Sequence, residues 1–244
     1  MRLTERAGIF VSFAALLCGA RPACAASSEE ISDLASRIDY GYYAGEPRVI
    51  EAARAVLDRS EASDPATRYY TAYAAFRMAQ LSAHDGAAPG AFVDTCVDKA
   101  TPSRDAPATA EQWILVAACA EVGAQARRRD QALERARALD PENPRLALLD
   151  AWVASPRSEQ ADPAGRDEAA ARLEHAVAAF DARPAVDGGP DWGEAEALAA
   201  LGEIVLARGE TRAARDLIER ALIVAPDYRL AVELRARMQG ARAH

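Results

Sequence analysis

Lysine is nearly absent from this chain: Lys99 is the single lysine among 244 residues, and arginine supplies the rest of the 29 basic side chains, against 37 acidic ones. The formal net charge of −8 excludes the basic stripes on which non-specific nucleic-acid and anionic-lipid binding depend. The one basic run, Arg127-Arg128-Arg129, meets Asp130 and reads as a solvated turn between helices. Arginine in place of lysine, alongside abundant alanine, reads as coding bias rather than function. Histidine is scarce too. His84, His175 and His244 fall in no HExxH or similar spacing, so no metal site is expected. There is no G-x-S-x-G, and Gly188-Gly189-Pro190 precedes a helix without a lysine to hold phosphate. Carboxylates such as Asp140 and Glu142 read as solvated helix faces. No catalytic residue, cofactor-binding residue or cofactor is therefore assigned, and no enzyme is expected. Nothing reads as strand.

The first residues read as a processing signal. Arg2 and Arg6 precede a short apolar run from Ala7 to Ala20, and Ala23-Cys24-Ala25 offers small residues for cleavage before Ala26. The run is too short for a comfortable membrane span. An uncleaved anchor or a buried first helix is the competing reading. Cys18 and Cys24 both fit poorly as lipoprotein acylation sites. Removal of residues 1–25 would leave 26 basic and 36 acidic side chains, a balance of −10, in a periplasmic or secreted chain. It would also leave two cysteines, Cys96 and Cys119, an even count in an oxidising compartment.

What the chain has is helical periodicity with fixed punctuation. Leu198, Leu201 and Val205 face one way, and Gly202 removes a side chain where a second helix must come close. Gly209 ends that helix, Ala214, Ile218 and Ala221 supply the buried stripe of the next, and Pro226 stops it. This string resembles the tetratricopeptide repeat, a unit of about 34 residues spelled W-x2-L-G-x2-Y, A-x3-F, P. Trp113, Val116, Ala117, Ala120, Leu133, Ala136 and Pro141 repeat the spacing, with Arg129 departing from it. The resemblance, to bacterial exported members of that family, implies an all-α, right-handed superhelix of about five antiparallel helix pairs. Residues 1–25 are read as the signal and 26–244 as one repeat domain. Its units lie near 30–64, 65–101, 107–141, 144–182 and 191–226, with a capping helix near 228–240. The fourth unit carries a polar insertion from Ser155 to Gly165, with its second helix continuing through Ala169, Leu173 and Ala176. Pro184 to Trp192 is the clearest loop.

In that family the first helices of successive units line a concave groove for peptides or partner segments. By register the groove here would present Arg37, Tyr70, Arg77 and Trp152, with Met78, Glu111, Ile114, Glu121, Glu196 and Glu203. Tyr70 and Trp152 would stack on a ligand while Arg37 and Arg77 hold an acidic group. The alternative is that the tyrosines, six of seven lying between Tyr40 and Tyr73, are packing residues between paired helices. The family's lysine and asparagine clamp for a terminal carboxylate is missing, since Asn143 is the one asparagine and sits in a loop. Adjacent repeat helices would also bring Cys96 and Cys119 together. A bridge would close a loop of about 24 residues, worth roughly 3 kcal/mol; otherwise they are two buried reduced thiols. The expected function is a non-catalytic exported scaffold or adaptor for an unidentified protein or extended peptide. A small-ligand or glycan-binding accessory protein of the cell envelope is the alternative.

Overall fold

Each helix begins and ends where local chemistry allows. Asp64, just ahead of Pro65, accepts the Thr67 amide at 2.7 Å, and Thr109 forms a reciprocal cap with Gln112. The computed structural model describes residues 27–60, 64–103, 107–154, 163–183 and 189–240. The expected signal at 1–25 lies outside the described residues, as do most of the 155–165 insertion and residues 184–188. The described residues form eleven helices and no strand: α1 (Ser28–Tyr43), α2 (Pro47–Leu57), α3 (Pro65–His84), α4 (Gly90–Ala100), α5 (Ala110–Val122), α6 (Ala126–Leu139), α7 (Pro144–Ala154), α8 (Pro163–Ala182), α9 (Glu194–Ala207), α10 (Thr211–Val224) and α11 (Arg229–Gly240). The α8 helix begins at Pro163, so the last three residues of the expected Ser155–Gly165 insertion are helical, proline being tolerated in a first turn.

Helices pair in sequence, α1 with α2 through α9 with α10, and α11 packs on the last pair. The α1, α3, α5 and α7 helices stack in succession, and α9 joins through α8. One apolar cluster runs from Ile31 to Met238, so the solenoid has a continuous core. Leu198, Leu201, Ala214, Ile218 and Ala221 are all in it, and a Cβ on Gly202 would stand 2.9 Å from Ile218 Cγ1. Pro141 and Pro226 each follow a C-cap residue, Asp140 and Ala225, where no helical N–H is needed. Trp113 is half-buried against the core beneath the Arg135 guanidinium, 4.4 Å from the ring centroid.

The turn inside the pairs recurs. At the end of α9, Gly209 has φ +82°, its N–H donates to Leu206 O, and the Glu210 N–H reaches Val205 O at 3.2 Å. This is a Schellman closure, which satisfies carbonyls the helix leaves free. The α1 and α3 helices close in the same way. In α5 the left-handed position is filled by Ala124, at φ 53° the one such non-glycine among the described residues. Cys96 on α4 and Cys119 on α5 are both wholly buried and stand at disulfide distance, their Cα atoms 6.3 Å apart.

Candidate functional site

The α3 face assigned to the groove by register carries a buried polar network, and other segments of the chain cover it. Arg77, on α3, is 0% exposed. Its Nη2 lies 2.6 Å from Glu196 Oε1 on α9, Nε donates to Tyr73 Oη at 2.8 Å, and Nη1 donates to Gln80 at 2.9 Å. The guanidinium carbon sits 3.9 Å from the Tyr42 ring centroid, with Tyr43, Tyr73, Phe76 and Trp192 also close around it. Glu196 Oε2 accepts from Tyr43 Oη at 2.7 Å and from the Gly193 amide at 3.1 Å. A buried ion pair survives only when its remaining donors and lone pairs are used in this way.

Trp192 closes the other side. It is 1% exposed, although it lies in the loop ahead of α9. Its ring packs on Tyr73, Phe76 and Trp152, with centroids 5.6 to 6.5 Å apart, and its indole N–H donates to Tyr69 Oη at 3.2 Å. A second buried arginine, Arg145, stands 5.4 Å from the same ring, and Trp192 is held between the two guanidinium groups. Arg145 Nη1 reaches Glu111 at 3.2 Å and its Nη2 donates to the Pro190 carbonyl. Asn143 is also buried and bonds Glu111 at 2.8 Å.

The four residues expected to bind a partner are therefore dispersed. Arg77 is interior, and its role as a groove cation is corrected to that of an internal counter-ion: register gives a helix face but not what covers it. Tyr70 is buried edge-on against Tyr69 and Tyr73. Trp152 is half-buried against Trp192. Arg37 is exposed on α1, 3.8 Å from Asp33. The packing reading accounts for five of the six clustered tyrosines, and Tyr40 stands exposed. The residues that organise the site and were not singled out are Tyr43, Asp39, Arg145 and Trp192. The one available signal was a tryptophan in a Gly/Pro loop, which must find apolar cover.

The ends of the solenoid meet at this face. Tyr43 and Tyr42 on α1 pack against Tyr228, ahead of α11, at 5.0 and 6.5 Å, and the Arg229 side chain lies against Gly45. An open recess of about 230 Å³ remains along the seam, lined by Ser36, Asp39, Tyr40, Tyr43, Asp191, Val224, Ala225, Pro226 and Asp227. Tyr73 Oη donates to Asp39. Burial pushes the Asp39 carboxyl up to about 6, against the opposing pull of Arg77 and the Tyr73 hydroxyl. Burial also holds the Tyr43 and Tyr73 hydroxyls well above their ordinary range, so both remain donors at neutral pH. Among the described residues, no group of three or more His, Cys, Asp or Glu is placed to hold a metal ion, and no helix is long and apolar enough to cross a membrane.

No protein-family model matches the sequence, and no curated protein matches it. Among solved structures, TTC0263, a thermophilic TPR protein of Thermus thermophilus, is similar with a TM-score of 0.51 and 19% identity, over 89% of this chain and 100% of that one. YrrB, described as a TPR protein with an unusual peptide-binding site, gives a TM-score of 0.35 and 12% identity over 86% of this chain and 100% of its own, too loose to argue from. With its paired helices, stacked first helices and terminal cap, the chain has the all-helical solenoid fold of tetratricopeptide-repeat proteins.

Proposed function

We propose that the chain is an exported repeat scaffold that binds a protein or peptide segment without catalysing a reaction, and that the partner seats at the seam between α1 and the α10–α11 turn. The observation that carries this reading is that Trp192 and Glu196 already cover Arg77 and its aromatic surround on α3, while the seam recess stays open. Two exposed apolar side chains, Tyr40 at 49% and Val224 at 41%, line that recess. The buried ionisable groups support a scaffold, because Arg77, Glu196, Tyr73 and Asp39 are tied to one another rather than aimed at a shared substrate position. The signal-like N-terminus and the Cys96–Cys119 pair support export.

Site-specific photo-crosslinking in the native envelope tests it. A benzophenone side chain at Tyr40 is expected to capture a discrete protein partner, and one at Ala171 on α8 is not. Adducts from Ala171 with none from Tyr40 would move the partner off the seam; adducts from neither would remove the scaffold reading.

A further inference from the structure

The walls and the charges of the seam recess differ in character. Tyr40 and Tyr43 of α1, Val224 at the end of α10, and Ala225 and Pro226 of the α10–α11 turn supply apolar surface. Every charged side chain that lines it is acidic, and each comes from a different segment: Asp39 from α1, Asp191 from the segment before α9, and Asp227 from the α10–α11 turn. No cationic side chain lines the recess. Arg77 lies behind it but is wholly buried and committed to Glu196, Tyr73 and Gln80. Arg37 on α1 is engaged by Asp33, and Arg229 on α11 turns toward Gly45 and Glu233. Asp39 is thus a part-buried carboxylate in the recess, hydrogen-bonded by one neutral hydroxyl, with two further carboxylates beside it.

This arrangement discriminates among occupants. A bare divalent ion is disfavoured, because the carboxylates are not placed as a ligand set and aliphatic and aromatic walls offer it nothing. An anionic group meets three like charges. A guanidinium or ammonium on an aliphatic stem fits both parts, laying its stem along Tyr40, Val224 and Pro226 and presenting its charge to Asp39 and Asp191. We infer that the seam recess receives an arginine or lysine side chain from an extended basic and apolar segment of a partner protein. This assignment rests on the scaffold reading and deepens it, by naming what the partner brings. The acidic balance of the whole chain would steer such a segment inward.

The probes are three acetylated, amidated peptides, Ala-Leu-Arg-Leu-Ala and its Gln and Glu counterparts, titrated calorimetrically into the full folded chain. The Arg peptide is expected to bind about tenfold more tightly than the Gln peptide, the Glu peptide not at all, and added salt to erase the preference. Asp39→Asn keeps an acceptor for the Tyr73 hydroxyl, and Asp227→Asn changes an exposed position. Each is expected to weaken the Arg peptide about three- to tenfold while leaving the Gln peptide unchanged. A thermal melt of each variant distinguishes lost binding from lost fold. Equal affinity for Arg and Gln peptides, or an Arg preference unchanged in both variants, overturns the inference. If all three peptides fail to bind at about 1 mM while Tyr40 still crosslinks a partner, the cationic occupant is wrong and the scaffold stands; if the crosslink is lost too, both fall.

Discussion

Replacing Glu196 with alanine removes the counter-charge of a guanidinium that is 0% exposed. The Arg77 Nη2 contact at 2.6 Å disappears, and the Tyr43 hydroxyl and Gly193 amide lose their acceptor in the same step. Stranding one half of a buried ion pair costs about 3–5 kcal/mol, and the two neutral donors add about 1 kcal/mol each where water cannot reach them. These contributions overlap, since a loosened Arg77 would admit water to all three, so about 4–5 kcal/mol is expected in total. The aromatic rings around Arg77 are present before and after the substitution, so their cation–π attraction, about 2 kcal/mol or more for a desolvated contact, does not replace the lost counter-charge. Urea denaturation followed by tryptophan fluorescence measures the loss. The decisive comparison is the double variant Arg77→Met/Glu196→Leu, in which neither member of the pair is stranded and the loss is expected to fall to about 2 kcal/mol or less. The cycle closed with the Arg77→Met and Glu196→Leu single variants should give a coupling of at least about 2 kcal/mol. A Glu196→Ala loss below about 1 kcal/mol, or additive effects in the cycle, would refute the claim that this pair holds the face closed.

Trp192→Ala empties the space between two arginines and three aromatic rings and should cost about 4 kcal/mol in the same titration. Ala124→Gly relieves a left-handed alanine and should stabilise by up to about 1 kcal/mol, whereas Gly209→Ala, at φ +82°, should destabilise by about 1 kcal/mol; both are read from thermal midpoints. Asp39 holds its proton up to about pH 6 in the folded chain and releases it from 3.8 when unfolded. Folding therefore binds a proton between those values, and the Asp39 contribution to stability falls as pH rises from about 4 to 6, by roughly 2–3 kcal/mol. Subtracting the pH profile of Asp39→Asn from that of the parent should isolate this slope; a flat difference would contradict it.

The repeat grammar was legible because it is local. Leu198, Leu201 and Gly202 encode a face and a close approach within one helical turn, and Pro226 encodes a stop, so neither depends on distant chain. The insertion was read three residues too long because the segment from Ser155 to Gly165 carries no apolar period to mark where α8 begins. Arg77 shows where local reading ends. Its register gives a helix face, but its burial depends on Glu196 more than a hundred residues later and on Tyr43 one pair earlier. No spacing rule links Tyr43 to Glu196 across 153 residues. Trp192 was hidden for a related reason, since a Gly/Pro-rich segment gives no periodicity from which to read a buried position. The cysteine pair lay between these cases, requiring only that neighbouring helices be neighbours.

Seam closure changes how this solenoid should come apart. In an open repeat array each unit answers only to its neighbours, and the terminal units fray first because they have one neighbour instead of two. Here Tyr43 and Glu196 join the first unit to the last, and the α1 end has Tyr228 and Arg229 as well as α2 and α3 for company. The C-terminal end of α1 is therefore packed on both sides. Its amides near Tyr43 should exchange as slowly as those of central α5, and deleting α9–α11 would expose a bare guanidinium and its aromatic surround rather than yield a shorter version of the same protein.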